Sequence, residues 1–244
     1  MYGARGRIGL ITLATDTSVL PEYQRLMPEG VAVYPAPITL PRGEVTPAAL
    51  AEMLDNDELE QAARKLAWAE VHVIVFACTS GSFIHGLGWD SALIGRIEAA
   101  ANVPATTTTT AVLAAFNAIG AKNVAIATPY LPELNEIEKR FFEGNGFAVP
   151  SIVGLGCLTD QEIGRLGPED AETLVDVADR PSANTLFISC TNFHVLDAVA
   201  SLELRHRKPV VTSNLAGAWA ALRRIGIQDV VNGFGRLLTL STST

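Results

Sequence analysis

One pattern occurs twice along this chain, and it restricts the fold more than any other feature. A short apolar, β-branched run ends in a cysteine; polar residues follow, then a helical stretch, a short strand, a threonine or serine step and a second helix. The first copy covers residues 71–119 and carries Val-Ile-Val-Phe-Ala-Cys78-Thr79-Ser80-Gly81-Ser82; the second covers residues 185–225 and carries Thr-Leu-Phe-Ile-Ser-Cys190-Thr191-Asn192. Even the tails correspond: Val-Pro-Ala-Thr-Thr-Thr precedes one closing helix, Lys-Pro-Val-Val-Thr-Ser the other, and both close on Ile-Gly. A repeat of strand–helix units predicts an internal duplication into two similar lobes. Continuous apolar runs of this kind suit strands buried on both faces of a parallel sheet.

The remaining pattern agrees. Strand-like runs at 8–13, 31–37, 71–77, 103–105, 124–128, 148–154, 185–189 and 210–212 alternate with helical patterns at 22–27, 47–69, 91–101, 110–119, 131–145, 160–166, 171–180, 193–207 and 216–226. Such alternation predicts an α/β fold of two pseudo-symmetric Rossmann-like lobes, each a mainly parallel sheet flanked by helices, with the active site between them. The expected division is 1–118 plus a returning 214–244 in one lobe and 119–213 in the other. Thr106–Thr110 reads as a loop and helix cap, and the final Ser-Thr-Ser-Thr as a frayed terminus.

With 244 residues and 48% hydrophobic content there is material for large cores. No apolar run reaches the roughly 20 residues of a membrane span, and the start is wrongly built for a signal peptide, so a cytoplasmic location is expected. A net charge of −8 without a basic run argues against a nucleic-acid partner. Three cysteines do not make a disulfide framework, and their spacing lacks that of a zinc site.

Ligands in open α/β folds sit beyond the carboxyl ends of strands. Two lobes would therefore bring Cys78 and Cys190 to one cleft. The Thr, Ser, Gly and Asn residues after each thiol, with a helix starting beyond, offer N–H and hydroxyl donors that hold a carboxylate and lower a thiol's pKa. One thiolate could take a proton from a carbon beside a carboxylate while the other thiol returns one to the opposite face. A thiolate could equally add to a double bond, permit rotation and leave. Neither route needs a cofactor. Cys157 reads as core filler; His85 and His194 read as exposed helix residues, and His72 and His206 as structural or solvated.

Ile8-Gly-Leu-Ile, Cys78-Thr-Ser-Gly-Ser-Phe, Ala127-Thr-Pro-Tyr130, Gly154-Leu-Gly, Ser189-Cys190, Pro209-Val-Val-Thr-Ser-Asn and Gly233-Phe-Gly-Arg, in this order, resemble the aspartate/glutamate racemase superfamily. The resemblance is to the branch of maleate cis–trans isomerase and arylmalonate decarboxylase and covers nearly the whole chain. It implies two Rossmann-like lobes, Cys78 and Cys190 as the catalytic pair, a carboxylate pocket of Thr79, Ser80 and Tyr130, and no cofactor; the donors after the second cysteine, Thr191 and Asn192, are read as further holders of that carboxylate. Its decarboxylases have glycine at the first cysteine position, so two cysteines favour a racemase or isomerase. Its isomerases have asparagine at two positions that correspond here to Asp16 and Asp160. An ionised Asp cannot donate to a carboxylate and repels it, which disfavours maleate and favours a substrate with one carboxylate and a cationic nitrogen. Both aspartates also suit capping, and Asp160, at a helix start, is read chiefly as a cap. The expectation is a cofactor-independent isomerase or racemase of a small carboxylate, a homo-oligomer, with decarboxylation or simple ligand binding as alternatives.

Overall fold

A computed structural model describes residues 2–240; the terminal Ser-Thr-Ser-Thr lies outside them. The first half lays down β1 (Gly6–Leu13), α1 (Val19–Leu26), β2 (Val31–Ile38), α2 (Pro47–Leu54), α3 (Glu58–Trp68), β3 (Val73–Phe76), α4 (Thr79–Phe83), α5 (Trp89–Ala101), β4 (Ala105–Thr107) and α6 (Thr108–Ile119). The second half lays down β5 (Asn123–Thr128), α7 (Pro132–Gly144), β6 (Ala148–Gly154), α8 (Asp160–Ile163), α9 (Pro168–Ala178), β7 (Thr185–Ile188), α10 (Val199–His206), β8 (Val210–Thr212) and α11 (Ser213–Arg224).

The strands form two four-stranded parallel sheets, in the orders β2-β1-β3-β4 and β6-β5-β7-β8. Each half thus repeats the same winding. The repetition extends to register: Phe76 pairs with Thr107 in one sheet and Ile188 with Thr212 in the other. Both threonines then cap the next helix, Thr107 Oγ1 accepting the Thr110 N–H at 3.2 Å and Thr212 Oγ1 the Leu215 N–H at 3.1 Å. Strands β3 and β7 are buried throughout, as their unbroken apolar runs require. Helix α11 leaves the second sheet and packs on α6, α1 and β3 of the first half. Small residues on the facing helices, Ala111, Ala115, Ala216 and Gly217, allow that close approach.

Three sequence expectations are corrected. The helix expected over 47–69 is two helices, broken at Asp55-Asn56-Asp57, where Asn56 Oδ1 accepts the Glu58 N–H at 2.8 Å and restarts the chain. Thr106–Thr110 is no loop: it ends β4 and begins α6, and Thr107 alone caps. The helix expected over 193–207 begins only at Val199, after a 3₁₀ turn at Leu196–Ala198. The reason lies on α1. Buried Glu22 points Oε1 at the N–H groups of Val195 (3.0 Å) and Leu196 (2.9 Å), and Oε2 accepts from Asn214 Nδ2 at 2.7 Å. These bonds from the other half hold the segment after Cys190 in an irregular path.

Glu22→Ala strands three buried donors, so it is expected to cost about 3 kcal/mol or more. Urea denaturation checks this; a loss below about 1 kcal/mol would show that the carboxylate does not hold the segment.

Candidate active site

The strand ends bring most of the expected residues together at the junction of the halves. Cys78 follows β3 and is the N-cap of α4; its Sγ accepts the Gly81 N–H at 3.4 Å and lies 3.8 Å from Ser80 Oγ. Gly81 permits this, since a Cβ there would stand 3.0 Å from the sulfur. Cys190 follows β7 and differs. Its φ is +97°, whereas the four other non-glycine residues with positive φ among the described residues lie at 52–56°. That conformation is strained for any residue with a Cβ, and no regular helix follows it. The sequence symmetry of the two cysteines is therefore not carried into their local structure.

A hydroxyl bridge joins the two cysteine loops. Thr79 Oγ1 donates to Ser213 Oγ at 2.8 Å, and Ser213 Oγ accepts the Cys190 N–H at 3.1 Å. Thr191 Oγ1 donates to the Ala77 carbonyl at 3.3 Å from the opposite side. Asn192 is a hub: Oδ1 accepts from the Thr17 N–H at 2.8 Å, Nδ2 donates to the Asp160 carbonyl at 2.8 Å, and its carbonyl accepts from Ser18 Oγ at 2.9 Å. Thr79, Thr191 and Asn192 thus spend hydroxyls and amide holding the junction.

Tyr130, just beyond β5, is buried and acts electrostatically on both thiols. Its hydroxyl makes no hydrogen bond of good geometry, yet it stands close enough to Cys190, Ser189 and Cys78 to interact with each. The aspartates also reach this place. Asp16 Oδ1 accepts the Ser18 and Val19 N–H groups at 2.9 and 2.8 Å, so it does cap α1, but its buried Oδ2 has no well-formed bond. Asp160 is not a cap, contrary to expectation. Thr159 caps α8 in a capping box with Glu162, while Asp160 turns inward and accepts from Thr15 Oγ1 at 2.5 Å across the junction. The capping box frees Asp160, since Thr159 already meets the helix's need.

The electrostatics reverse one expectation. The donors around the thiols lower them less than burial raises them. Burial, reinforced by the negative Asp16 and Asp160, pushes Cys78 up to about 12 and Cys190 well above its ordinary range. Gly81 and Ser80 counter this at Cys78, and Tyr130 and the Asn192 N–H at Cys190. Burial, with Asp160 beside it, also pushes Asp16 up to about 7.

The outlying candidates stay outside the site. Cys157 is half-buried after β6. His85 stacks edge-on against Trp89, His194 pairs with Asp197 at 3.4 Å, and His206 is held by Asp176 and Asp179. Among the described residues no cluster of ligands suited to a metal occurs, and no helix is long and apolar enough to cross a membrane. Sequence reasoning missed Ser213 and the buried Glu138. Glu138 sits with Leu134, Phe141 and Phe142 on the buried stripe of α7, and that helical spacing was the available signal.

Comparison with known proteins gives consistent results. The family model "Arylmalonate decarboxylase" matches residues 8–238. Arylmalonate decarboxylase of Bordetella bronchiseptica is 33% identical over 90% of this chain and 94% of its own. Maleate isomerase of Pseudomonas putida is 28% identical over 96% of this chain and 97% of its own. A liganded arylmalonate decarboxylase variant, with cysteine in place of one glycine and serine in place of one cysteine, superposes with a TM-score of 0.86 at 29% identity, covering 95% of this chain and 98% of that one.

Two outcomes are expected. Glycine accepts φ of +97° at no cost, so Cys190→Gly is expected to be more stable than Cys190→Ala by up to about 1 kcal/mol; urea denaturation with the reverse order would remove the strain argument. Because the folded pKa of Asp16 lies above its ordinary 3.8, the folded state keeps a proton that the unfolded chain has lost between that value and about 7. Stability should therefore fall as pH rises through this window. Asp16→Asn should flatten that fall; an unchanged slope in pH-dependent denaturation would contradict the burial of Asp16.

Proposed function

The chain belongs to the arylmalonate decarboxylase family, and from that premise we propose that it is a cofactor-independent, two-cysteine isomerase or racemase of a small carboxylate. The observation that carries this reading is convergence: Thr79 Oγ1 donates to Ser213 Oγ, which accepts the Cys190 N–H, and Thr191 Oγ1 donates to the Ala77 carbonyl, so the two cysteine loops meet at one junction, and Asp16, Asp160 and Tyr130 act electrostatically on both thiols. Cys78 has the closer donors, the Gly81 N–H and the Ser80 hydroxyl, and is the thiol more readily ionised. Its thiolate takes the proton beside the substrate carboxylate: the C–H bond breaks, an S–H bond forms and the electron pair moves into the carboxylate. Donors from Ser80, Tyr130 and the first turn of α4, with Thr79 and Thr191 behind them, stabilise the enediolate. Cys190 then passes its proton to the other face. With an unsaturated substrate, the Cys78 thiolate instead forms a C–S bond as the π pair of the double bond moves toward the carboxylate, the resulting single bond rotates, and the pair returns to re-form the double bond as the C–S bond breaks.

The substrate we infer carries one carboxylate and a cationic nitrogen. An ammonium against Asp16 and Asp160 would cancel the two charges that oppose thiolate formation, whereas a second carboxylate would add to them. Asp16 can donate to a carboxylate only while protonated, which places any turnover of a dianion such as maleate below about pH 7. The 33% identity to a decarboxylase supports a second reading, in which Cys190 protonates a carbanion left by carbon dioxide. Release of carbon dioxide from aryl- or alkylmalonates would favour that reading.

Cys78→Ala and Cys190→Ala are each expected to lower kcat/KM by about 10²–10⁴-fold. Full activity in either variant would end the two-thiol mechanism, and iodoacetamide labelling neither cysteine at any pH would favour a binding protein. Asp16→Asn is expected to raise kcat/KM on maleate by at least about tenfold at pH 8. Fast maleate turnover by the unaltered protein at that pH would contradict the substrate assignment.

A further inference from the structure

A second buried carboxyl lies behind Cys190, where the mechanism above does not use it. Glu138, on α7, is fully buried. Its Oε1 accepts from Ser189 Oγ at 2.6 Å, and Ser189 is the residue before Cys190. Its Oε2 is buried with no hydrogen-bond partner. The Tyr130 hydroxyl, likewise buried without a well-formed bond, lies close to Ser189 and Cys190 and feels the charge of Glu138. Two groups that carry protons, Ser189 and Tyr130, are thus enclosed between the Glu138 carboxyl and the Cys190 thiol. A buried acid with a free oxygen and no cation against it is costly to keep ionised.

We propose that Glu138 is the proton partner of Cys190: the two share one proton along the Ser189 and Tyr130 hydroxyls, so that Cys190 becomes a thiolate only while Glu138 is neutral. The exchange balances. When Cys190 protonates the substrate carbon, its S–H bond breaks and the sulfur keeps the pair. The Tyr130 O–H then donates its proton to that sulfur and recovers one from Ser189, which recovers one from the Glu138 carboxyl. The products are a restored thiol and a Glu138 carboxylate, accepting from Ser189 as observed; the single negative charge has moved and none has been created. Glu138 is thus a positioning residue that acts through Tyr130 and Cys190. The titratable groups that bear on this relay are Tyr130, Cys190 and, through Tyr130, Cys78; no lysine, arginine or histidine among the described residues offsets its charge. Burial pushes Glu138 up to about 8, partly countered by Ser189, which places the switch within reach of ordinary pH. The inference rests on the reading in which Cys190 passes a proton, but its test reads ionisation and not turnover, so the two can fail separately.

The test follows iodoacetamide alkylation of each cysteine by peptide mass spectrometry, from pH 6 to pH 10, in the unaltered protein and in Glu138→Gln. At pH 6.5, where Glu138 is neutral, Cys190 should react at the same rate in both. At pH 9.5, where Glu138 is ionised in the unaltered protein only, Cys190 should react about tenfold faster in Glu138→Gln, as for a pKa lower by about one unit. Cys157, outside the site, should be unchanged. A Cys190 ratio that stays constant across pH, or an equal acceleration of Cys157 as a merely loosened fold would give, overturns the proposal. Infrared difference spectra decide the matter even if Cys190 resists the reagent. A protonated-carboxyl band lost in Glu138→Gln should be present at pH 7 and titrate away near pH 8; absence of that band at pH 7 overturns the proposal.

Discussion

The backbone of Cys190 is held where its own chemistry would not put it, and the site depends on that. A φ of +97° costs about 1–3 kcal/mol at a residue with a side chain. Bonds from elsewhere maintain it. Ser213 accepts the Cys190 N–H. Glu22 takes the Val195 N–H and the Leu196 N–H, the latter the donor that would close the first turn of a helix begun at Phe193, and its bond to Asn214 leads back to the Thr191 carbonyl. Asn192 ties the same loop to Thr17, Ser18 and Asp160. The loop is over-determined by both halves of the chain, which is how a strained cysteine can persist and how its sulfur is aimed at the junction.

The two thiols that result are alike in origin and unlike in circumstance. Cys78 receives an N–H and a hydroxyl within its own short helix, while Cys190 has a phenol beside it and a carboxyl behind it. Both are pushed upward by burial and by Asp16 and Asp160, which favours the neutral thiols. That ties reactivity to what binds. A group that neutralises the aspartates favours ionisation of a thiol, and one that adds negative charge opposes it. Substrate charge and catalytic readiness are then linked in one small volume.

Much of this was legible in the residues. The apolar runs before Cys78 and Cys190, the helices between them and the repeated Pro-containing tails fixed the fold class, because strand and helix periodicity are local properties. The strand ends then placed the cysteines, with Thr79, Ser80, Thr191 and Asn192 beside them. What failed depended on distant partners. The helix expected after Cys190 was a fair reading of 193–207, but the Leu196 N–H that would close its first turn is claimed by Glu22, far away in sequence. Asp160 looked like a cap because helix starts favour Asp, yet Thr159 does that work. The donors after each cysteine suggested lowered thiols, and only burial and the positions of Asp16 and Asp160 decide otherwise. Glu22 and Glu138 were not singled out, although each falls on the buried stripe of its helix, with Val19, Tyr23 and Leu26 in one case and Leu134, Phe141 and Phe142 in the other.

The central claim is that one substrate carbon sits between two sulfurs. A crystal structure of the protein soaked with a small amino-acid carboxylate such as aspartate tests it most directly. The account predicts the carboxylate on Ser80, Tyr130 and the first turn of α4, the ammonium toward Asp16, and the carbon beside the carboxylate flanked on opposite faces by Cys78 and Cys190 at about 3.5 Å. A carboxylate bound away from the junction, or a carbon approached by only one sulfur, would contradict it.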